Sequence, residues 1–449
     1  MRLPRYPRYK PSGVEWLGEV PEHWGVVPLK HRCNRSALYG ANIPGEEYTP
    51  DGVRFLRTTD IDDFGNLQSG GVFIEAEQAQ GYVLDDGDIL LSRSGTIGRA
   101  FVFSSRRHPT SAYAGYLVRF VPSARLNPSL FFYFTKSTAF RDWLDTQVIA
   151  STIGNVNGQK YAQCPVPLAG RDEQRAIADF LDRETPKIDM LVAKKRTLIE
   201  RLKEKRTALI SRTVTRGLPP DAARVAGLDP RPKLKAAGID WLGDVPEHWK
   251  AHQLRYASIV LDCKHKTVSF VDDGVPLASI REVHGFEVDL SGAKQTTEEE
   301  YLEMIEGGRT PQINDIIYSR NATVGDAALV STKERFCMGQ DVCLIRTSTQ
   351  HARYLLYFLR SAPLLEQVES LMIGSTFRRI NVGQIKAFWI CLPPQGEQEA
   401  IAGYLDRETQ KIDGMVTRVE TAIERLQEYR TALITAAVTG KIDVRGATA

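Results

Sequence analysis

A chain of 449 residues, 42% hydrophobic and 25% charged, has the composition of a globular protein and is too long for one ordinary core, so two or three domains are expected. Its net charge of +3 falls short of the basic balance of a domain that binds nucleic acid unaided, so if it binds DNA, partner subunits supply much of the phosphate neutralisation. The start MRLPRYPRYK lacks the apolar stretch of a signal peptide, and no apolar run approaches a membrane span; Cys33, Cys164, Cys263, Cys337, Cys343 and Cys391 form no CxxC pairs and have no nearby histidine cluster. A soluble, cytoplasmic protein with reduced thiols, no disulfide framework and no metal site is expected.

The first notable phrase is GVEWLGEVPEHW, Gly13 to Trp24, which returns as GIDWLGDVPEHW, Gly238 to Trp249. Recurrence of Trp16/Trp241, His23/His248 and Trp24/Trp249 beside Pro21 and Pro246 suits a clip packed into a core better than a base-stacking or metal site. Strands are predicted at Val53–Thr58, Asp88–Leu91 and Leu117–Val121, followed by a helix from Asn127-Pro128 and a second through Phe140–Leu144. The second half has faint counterparts, among them DILLSRSGTIG from Asp88 and DIIYSRNATVG from Asp315, LVR at Leu117 and LIR at Leu344, and Ser151-Thr152 and Ser375-Thr376. Each module therefore reads as α+β, with strand order not legible.

From Gln174 the chain runs through AIADFLDRETPKIDMLV to ERLKEKRTALISRTVT, and from Gln398 it runs through AIAGYLDRETQKIDGMV to ERLQEYRTALITAAVT. About 26 of 42 aligned residues are identical, which marks a duplication. Apolar residues at Ile188, Leu191, Val192, Leu198, Ile199, Leu202 and Leu209, and at Ile412, Met415, Val416, Val419, Ile423, Leu426 and Leu433, fall on one helical stripe in each copy. Thr185 reads as a cap and Pro186 as a first-turn residue, with QRAIADFLDRE a shorter helix set at an angle. The helix from Pro186 would then run about 28 residues, or about 42 Å. Two matched stripes in one chain are expected to pair antiparallel about a pseudo-two-fold axis, with one module at each end. A coiled coil joining two copies of the protein is the alternative.

Loop-like polar stretches follow equivalent elements in both modules. Arg93, Ser94 and Thr96 match Arg320, Asn321 and Thr323; Asn155 and Asn157 precede one segment as Arg378, Arg379 and Asn381 precede its counterpart. Such side chains hydrogen-bond base edges and phosphates, and Gly95, Gly154 and Gly374 would allow close approach. They also make ordinary turns, and Arg93 or Arg320 could equally pair with a nearby carboxylate. No GxxxxGK[ST] loop, Gly-rich nucleotide turn, HExxH or GxSxG occurs, and no catalytic residue, cofactor site or metal ligand is assigned.

The two W-L-G-x-V-P-E-H-W phrases, EQ-x2-IA-x2-LD-x4-KID from Glu173 and again from Glu397, and ERL-x-E-x-RTALI resemble the specificity subunits of Type I restriction–modification enzymes, over perhaps a third of the chain. The resemblance implies two target-recognition domains, each reading half of a split site in double-stranded DNA, with the helices as spacer. It implies two methyltransferase subunits using S-adenosylmethionine and motor–nuclease subunits using ATP and Mg as partners, this chain being non-catalytic. Residues 1–171 would form the first recognition domain with its repeat segment and 172–217 the first spacer. Residues 218–395 would hold the linker, repeat segment and second recognition domain, 396–440 the second spacer and 441–449 a tail. A stand-alone two-module repressor or architectural protein, or an unrecognised nuclease, would share the DNA-binding layout.

Overall fold

The apolar runs of the first half become strands within a residue or two of their predicted ends. The computed structural model describes residues 3–148, 154–347, 349–372 and 379–447. Its first module contains β1 Gly25–Pro28, β2 Cys33–Tyr39, β3 Val53–Leu56, β4 Val72–Ile74, β5 Ile89–Ser92, β6 Ala100–Val102, β7 Ser111–Tyr113, β8 Leu117–Pro122 and β9 Pro165–Leu168. Strand β3 stops short of Thr58 because Arg57 and Asp60 close a capping box on a short turn over Thr58–Asp60. Asn127 accepts from the Leu130 amide and starts α1, Pro128–Thr135, while Ser137 caps α2, Thr138–Gln147.

Strand order is non-sequential. One antiparallel sheet runs β2-β8-β5-β6, and a second runs β4-β3-β7 with β3 and β7 parallel. Strands β1 and β9 pair with Gly25 opposite Leu168, which brings the two ends of the module side by side. The second module repeats this topology. Its strands are β10 Lys250–Gln253, β11 Ile259–Asp262, β12 Val275–Ala278, β13 Gln295–Thr296, β14 Ile316–Ser319, β15 Ala327–Leu329, β16 Cys337–Met338, β17 Val342–Arg346 and β18 Trp389–Leu392. The orders are β11-β17-β14-β15 and β13-β12-β16, with β10 on β18. Central strands β5 and β14 are wholly buried, as continuous apolar runs should be.

The two repeated fragments inside the modules meet as buried ion pairs. Asp88 lies 2.5 Å from Arg119, and Asp315 lies 2.6 Å from Arg346. A charge removed from water needs such a partner, so these positions stay matched where the loops around them differ.

Two continuous helices dominate the frame, α4 over Arg171–Arg216 and, after α5 Ala352–Leu359 and α6 Ala362–Met372, a long final helix. With α7 over Val382–Lys386, that final helix is α8, Gln395–Val438. (The short helix α3 of the first module, Gly158–Ala162, matches α7.) The predicted break at Pro186 is absent, because the proline sits inside α4. Thr185 is not a cap: its hydroxyl donates to the Leu181 carbonyl at 2.9 Å and lies 3.2 Å from Tyr133 Oη. Proline forfeits one helical hydrogen bond, but Leu181, Thr185, Ile188 and Val192 are buried on one stripe across it and hold both sides in line. At 1.5 Å per residue the helices measure about 69 and about 66 Å, against the predicted 42 Å.

The chain divides into two compact units, Met1–Arg196 with Glu420–Ala449, and Thr197–Val419, so each holds part of both helices. In the first, Ile177 and Leu181 share a core with Ile434 and Ala437; in the second, Ile210 and Val214 share one with Ile401 and Leu405. The start of one helix thus packs on the end of the other, the antiparallel pairing expected. Ile188 and Ile412 are buried, and Leu202, Leu209, Val419, Leu426 and Leu433 are half-buried. Leu191, Leu198 and Met415 are exposed, a correction to the predicted seam. Each neighbours a β-branched residue, Val192, Ile199 or Val416, and the three-four spacing turns that one inward. Matching ion pairs cross the seam: Arg430 meets Asp189 at 2.8 Å in the first unit, and Arg206 meets Asp413 at 2.9 Å in the second. The intrachain pairing occupies the stripe that a coiled coil between copies would need.

Trp24 and Trp249 are fully buried, as core packing predicts. The clip closes on the helix start: His23 Nε2 lies 2.8 Å from Glu173 Oε2, and His248 Nε2 lies 2.8 Å from Glu397 Oε2. Trp24 Nε1 also donates to Glu173 at 3.1 Å, whereas the Trp249 indole N–H is buried without a partner among the described residues. Trp24→Phe should therefore cost about 1–3 kcal/mol more than Trp249→Phe, since only the former strips a hydrogen bond from a carboxylate. Unfolding midpoints of the two variants test this; equal losses would assign the clip to packing alone. The segment after α8 is folded too: Asp443 N donates to Pro4 O at 2.8 Å, and Val444 is buried. No helix among the described residues is long and apolar enough to cross a membrane.

Candidate nucleic-acid interface

The polar stretch after the central strand and the one after the helical pair are far apart in sequence, yet they join in each module. In the first, Val156 N donates to Arg93 O at 3.0 Å and Tyr161 Oη donates to Ser92 O at 2.8 Å. In the second, Ile380 N donates to Arg320 O at 3.0 Å, and Asn321 bridges Arg379. The same backbone join recurs at matching positions. Gly95 supplies the positive φ of 71° that the first turn requires; Ala322 takes φ 56° in the second, a conformation that costs any residue with a side chain.

At the first join, Thr96 and Asn155 are exposed and Ser94 is half-buried. The Arg93 guanidinium stacks 5.1 Å from the centre of the Tyr39 ring and has no carboxylate partner among the described residues. At the second, Arg379 is exposed, Thr323 Oγ1 lies 3.2 Å from Ser319 Oγ, and Asn321 Nδ2 donates to Asp341 at 3.0 Å. Arg378 lies outside the described residues, as do Ser151, Thr152, Gly374, Ser375 and Thr376.

Three of the sequence candidates are engaged within the protein, Arg320 buried and Asn157 and Asn381 still exposed. Arg320 is only 3% exposed, 3.1 Å from Asp262 and donating to the Gln340 carbonyl at 2.9 Å. It is paired with a carboxylate, the second of the two readings its sequence left open. Asn157 and Asn381 spend their side-chain oxygens on the caps of α3 and α7, at 2.9 Å from the amides of Lys160 and Gln384. That leaves an asymmetry: the first module presents an arginine on an aromatic ring, while the second neutralises its counterpart.

Two features go beyond the sequence candidates, one brought together by remote strands and one local to the run Asp262-Cys263-Lys264-His265. Tyr39 comes to the first join because β2 lies beside β8, and Tyr116 because β8 lies beside β5; Tyr116 is 64% exposed and its carbonyl accepts from Arg93 N at 3.0 Å. In the second module, Asp262, Cys263 and His265 converge within 4.8 Å, despite the expectation of no Cys–His grouping. Burial pushes the Cys263 thiol up, so it stays protonated, and the Arg320 guanidinium serves both Asp262 and Cys263.

The family described as "Type I restriction modification DNA specificity domain" matches residues 54–201 and 275–425, one copy per module with its helix. The chain is 22% identical over 446 residues to the "Putative type I restriction enzyme MjaX specificity subunit" of Methanocaldococcus jannaschii, covering 96% of both. It is 21% identical to the MjaVIII type I restriction enzyme specificity subunit of the same organism, over 95% of this chain and 94% of that one. Among solved structures, a chain of a type I R-M system aligns with TM-score 0.72 at 15% identity, covering 96% of this chain and 99% of that one. The HsdS subunit from Thermoanaerobacter tengcongensis aligns with TM-score 0.52 at 16% identity, over 94% and 98%. These structures share the fold, and the two-copy match across most of the chain carries the assignment: this protein belongs to the Type I restriction–modification DNA specificity family.

Proposed function

We propose that each module reads one half of a split DNA site and that the helices separate the two readers. In this reading the chain directs two methyltransferase subunits and motor–nuclease subunits to that site. The twin loop joins on one repeated topology are the observation that supports it. Polar side chains on a rigid sheet end, fixed by main-chain hydrogen bonds, suit readout of base edges. Because adenine methylation needs an extruded base, the modules would hold a distorted duplex for their partners.

The reading assigns no catalysis to this chain. Purified alone with S-adenosylmethionine, with ATP or with Mg, it should neither methylate, hydrolyse nor cut DNA. Mixed with its methyltransferase subunits it should bring methylation to one bipartite sequence. Robust methylation by the lone chain would overturn the assignment, and tight specific binding without partners would favour the stand-alone repressor.

Arg93 is the most informative single residue. Arg93→Ala should weaken binding of the assembled methyltransferase to its own site by about 1–3 kcal/mol while leaving nonspecific binding nearly unchanged. An equal loss on all sequences, with a shallower salt dependence, would make Arg93 a phosphate contact.

A further inference from the structure

The duplication lets one half of the molecule report what the other half lacks. In the second unit Arg353 on α5 lies 2.9 Å from Asp406 of α8, and Tyr357 Oη donates to the same carboxylate at 2.7 Å. The Arg353 guanidinium also lies 6.0 Å from the Phe286 ring, which Arg206 of the seam covers at 4.7 Å.

Every part of this arrangement but one recurs in the first unit. Tyr133 Oη donates to Asp182 at 2.7 Å, and the seam residue Arg430 lies 5.6 Å from the Phe64 ring. The position of Arg353 is taken by Ser129, which cannot reach. Asp182 is left with no ion pair among the described residues, and Phe64 is 52% exposed. Between them is a cavity of about 520 Å³ whose wall includes Phe64, Ser129, Phe132, Asp182 and Arg430. Asp189, also in the wall, is already held by Arg430, and Arg107 lines the rim.

We propose that this cavity is a docking site for an arginine side chain presented by a partner polypeptide, which takes in trans the place that Arg353 fills in cis. A guanidinium suits it on two counts. Its N–H groups can share the Asp182 carboxylate with Tyr133, as Arg353 Nε and Tyr357 Oη share one oxygen of Asp406, and its face stacks on an aromatic ring. A lysine ammonium offers only the charge.

The test uses the full-length chain and N-acetyl-arginine methylamide as probe, followed by ligand-observed NMR. Saturable binding is expected, with the matching lysine compound about tenfold weaker, the loss of one charge-assisted bond. Ser129→Arg should abolish binding by restoring the internal occupant, and the variant should unfold at or above the temperature of the parent. Asp182→Asn, isosteric and at an exposed position, should weaken the probe about tenfold; it decides the matter should Ser129→Arg fold poorly. No saturable binding, or binding untouched by both substitutions, would overturn the proposal. Neither outcome depends on whether the modules read DNA.

Discussion

Exchanging residues 25–168 for the corresponding module of a relative should change one half of the recognised DNA site completely and leave the other half as it was. The cut points are set by the fold. Gly25 and Leu168 are opposite one another in the β1–β9 pair, so the excised piece enters and leaves the frame at one place. The frame contacts on either side remain, with His23 and Trp24 on Glu173. Polar contacts between the module and the helices must survive the exchange, two of them side-chain or main-chain bonds to the start of α4. Tyr133 donates to Asp182, and the Asn127 amide donates to Gln174 at 2.9 Å. The second needs only backbone, so a donor module with a tyrosine at the first position should seat as the parent does. Mapping the sequences methylated by the reconstituted enzyme gives the answer. If both halves of the site changed together, independent reading by the two modules would be wrong.

How far the sequence foretold this molecule depended on whether a feature was local. The duplication, the clip tryptophans and the helix start at Asn127 are settled within a few residues, and they were legible. The seam was legible as a stripe but not to the residue. At Leu191-Val192, Leu198-Ile199 and Met415-Val416 two apolar side chains stand together, and only packing selects one. Pro186 misled for the same reason: its local preference is for a helix start, and the core around Leu181 and Ile188 overrides it. The binding surface was hardest to foresee. Arg93 and Arg320 occupy the same place in the same motif, yet one stacks on Tyr39 and the other is buried against Asp262. Strands remote in sequence supply both partners, and their order is not written in any local pattern.

The largest loss of stability is expected from Arg119→Met. Asp88 is 1% exposed and Arg119 is 4% exposed, and burial holds the Asp88 carboxyl above its usual range even though Arg119 pulls it down. Taking the guanidinium away leaves a buried carboxylate with, among the described residues, only the Asp85 amide, at 2.7 Å, to offset its desolvation. Breaking such a pair costs about 3–5 kcal/mol, a large part of the stability of an ordinary domain. Asp88→Asn with Arg119→Met should recover much of it, because no charge then remains to be buried. The sign of the pH dependence separates this cause from mere loss of packing. For a carboxyl raised in the folded state, the folded form holds the proton more tightly than the unfolded one. Stability therefore rises as the pH falls from that raised value toward the ordinary carboxylate range. Without Arg119 the value is raised further, so the gap between the single variant and the parent should narrow over that window, while the double variant, with no carboxyl at residue 88, should lack this rise altogether. Arg346→Met should cost less stability, since the Arg346 side chain is 23% exposed and water can reach the space it leaves. Denaturant titrations of the four proteins across that pH range measure the gap directly. A loss for Arg119→Met that did not change with pH would mean that the pair holds the sheet by shape and not by charge.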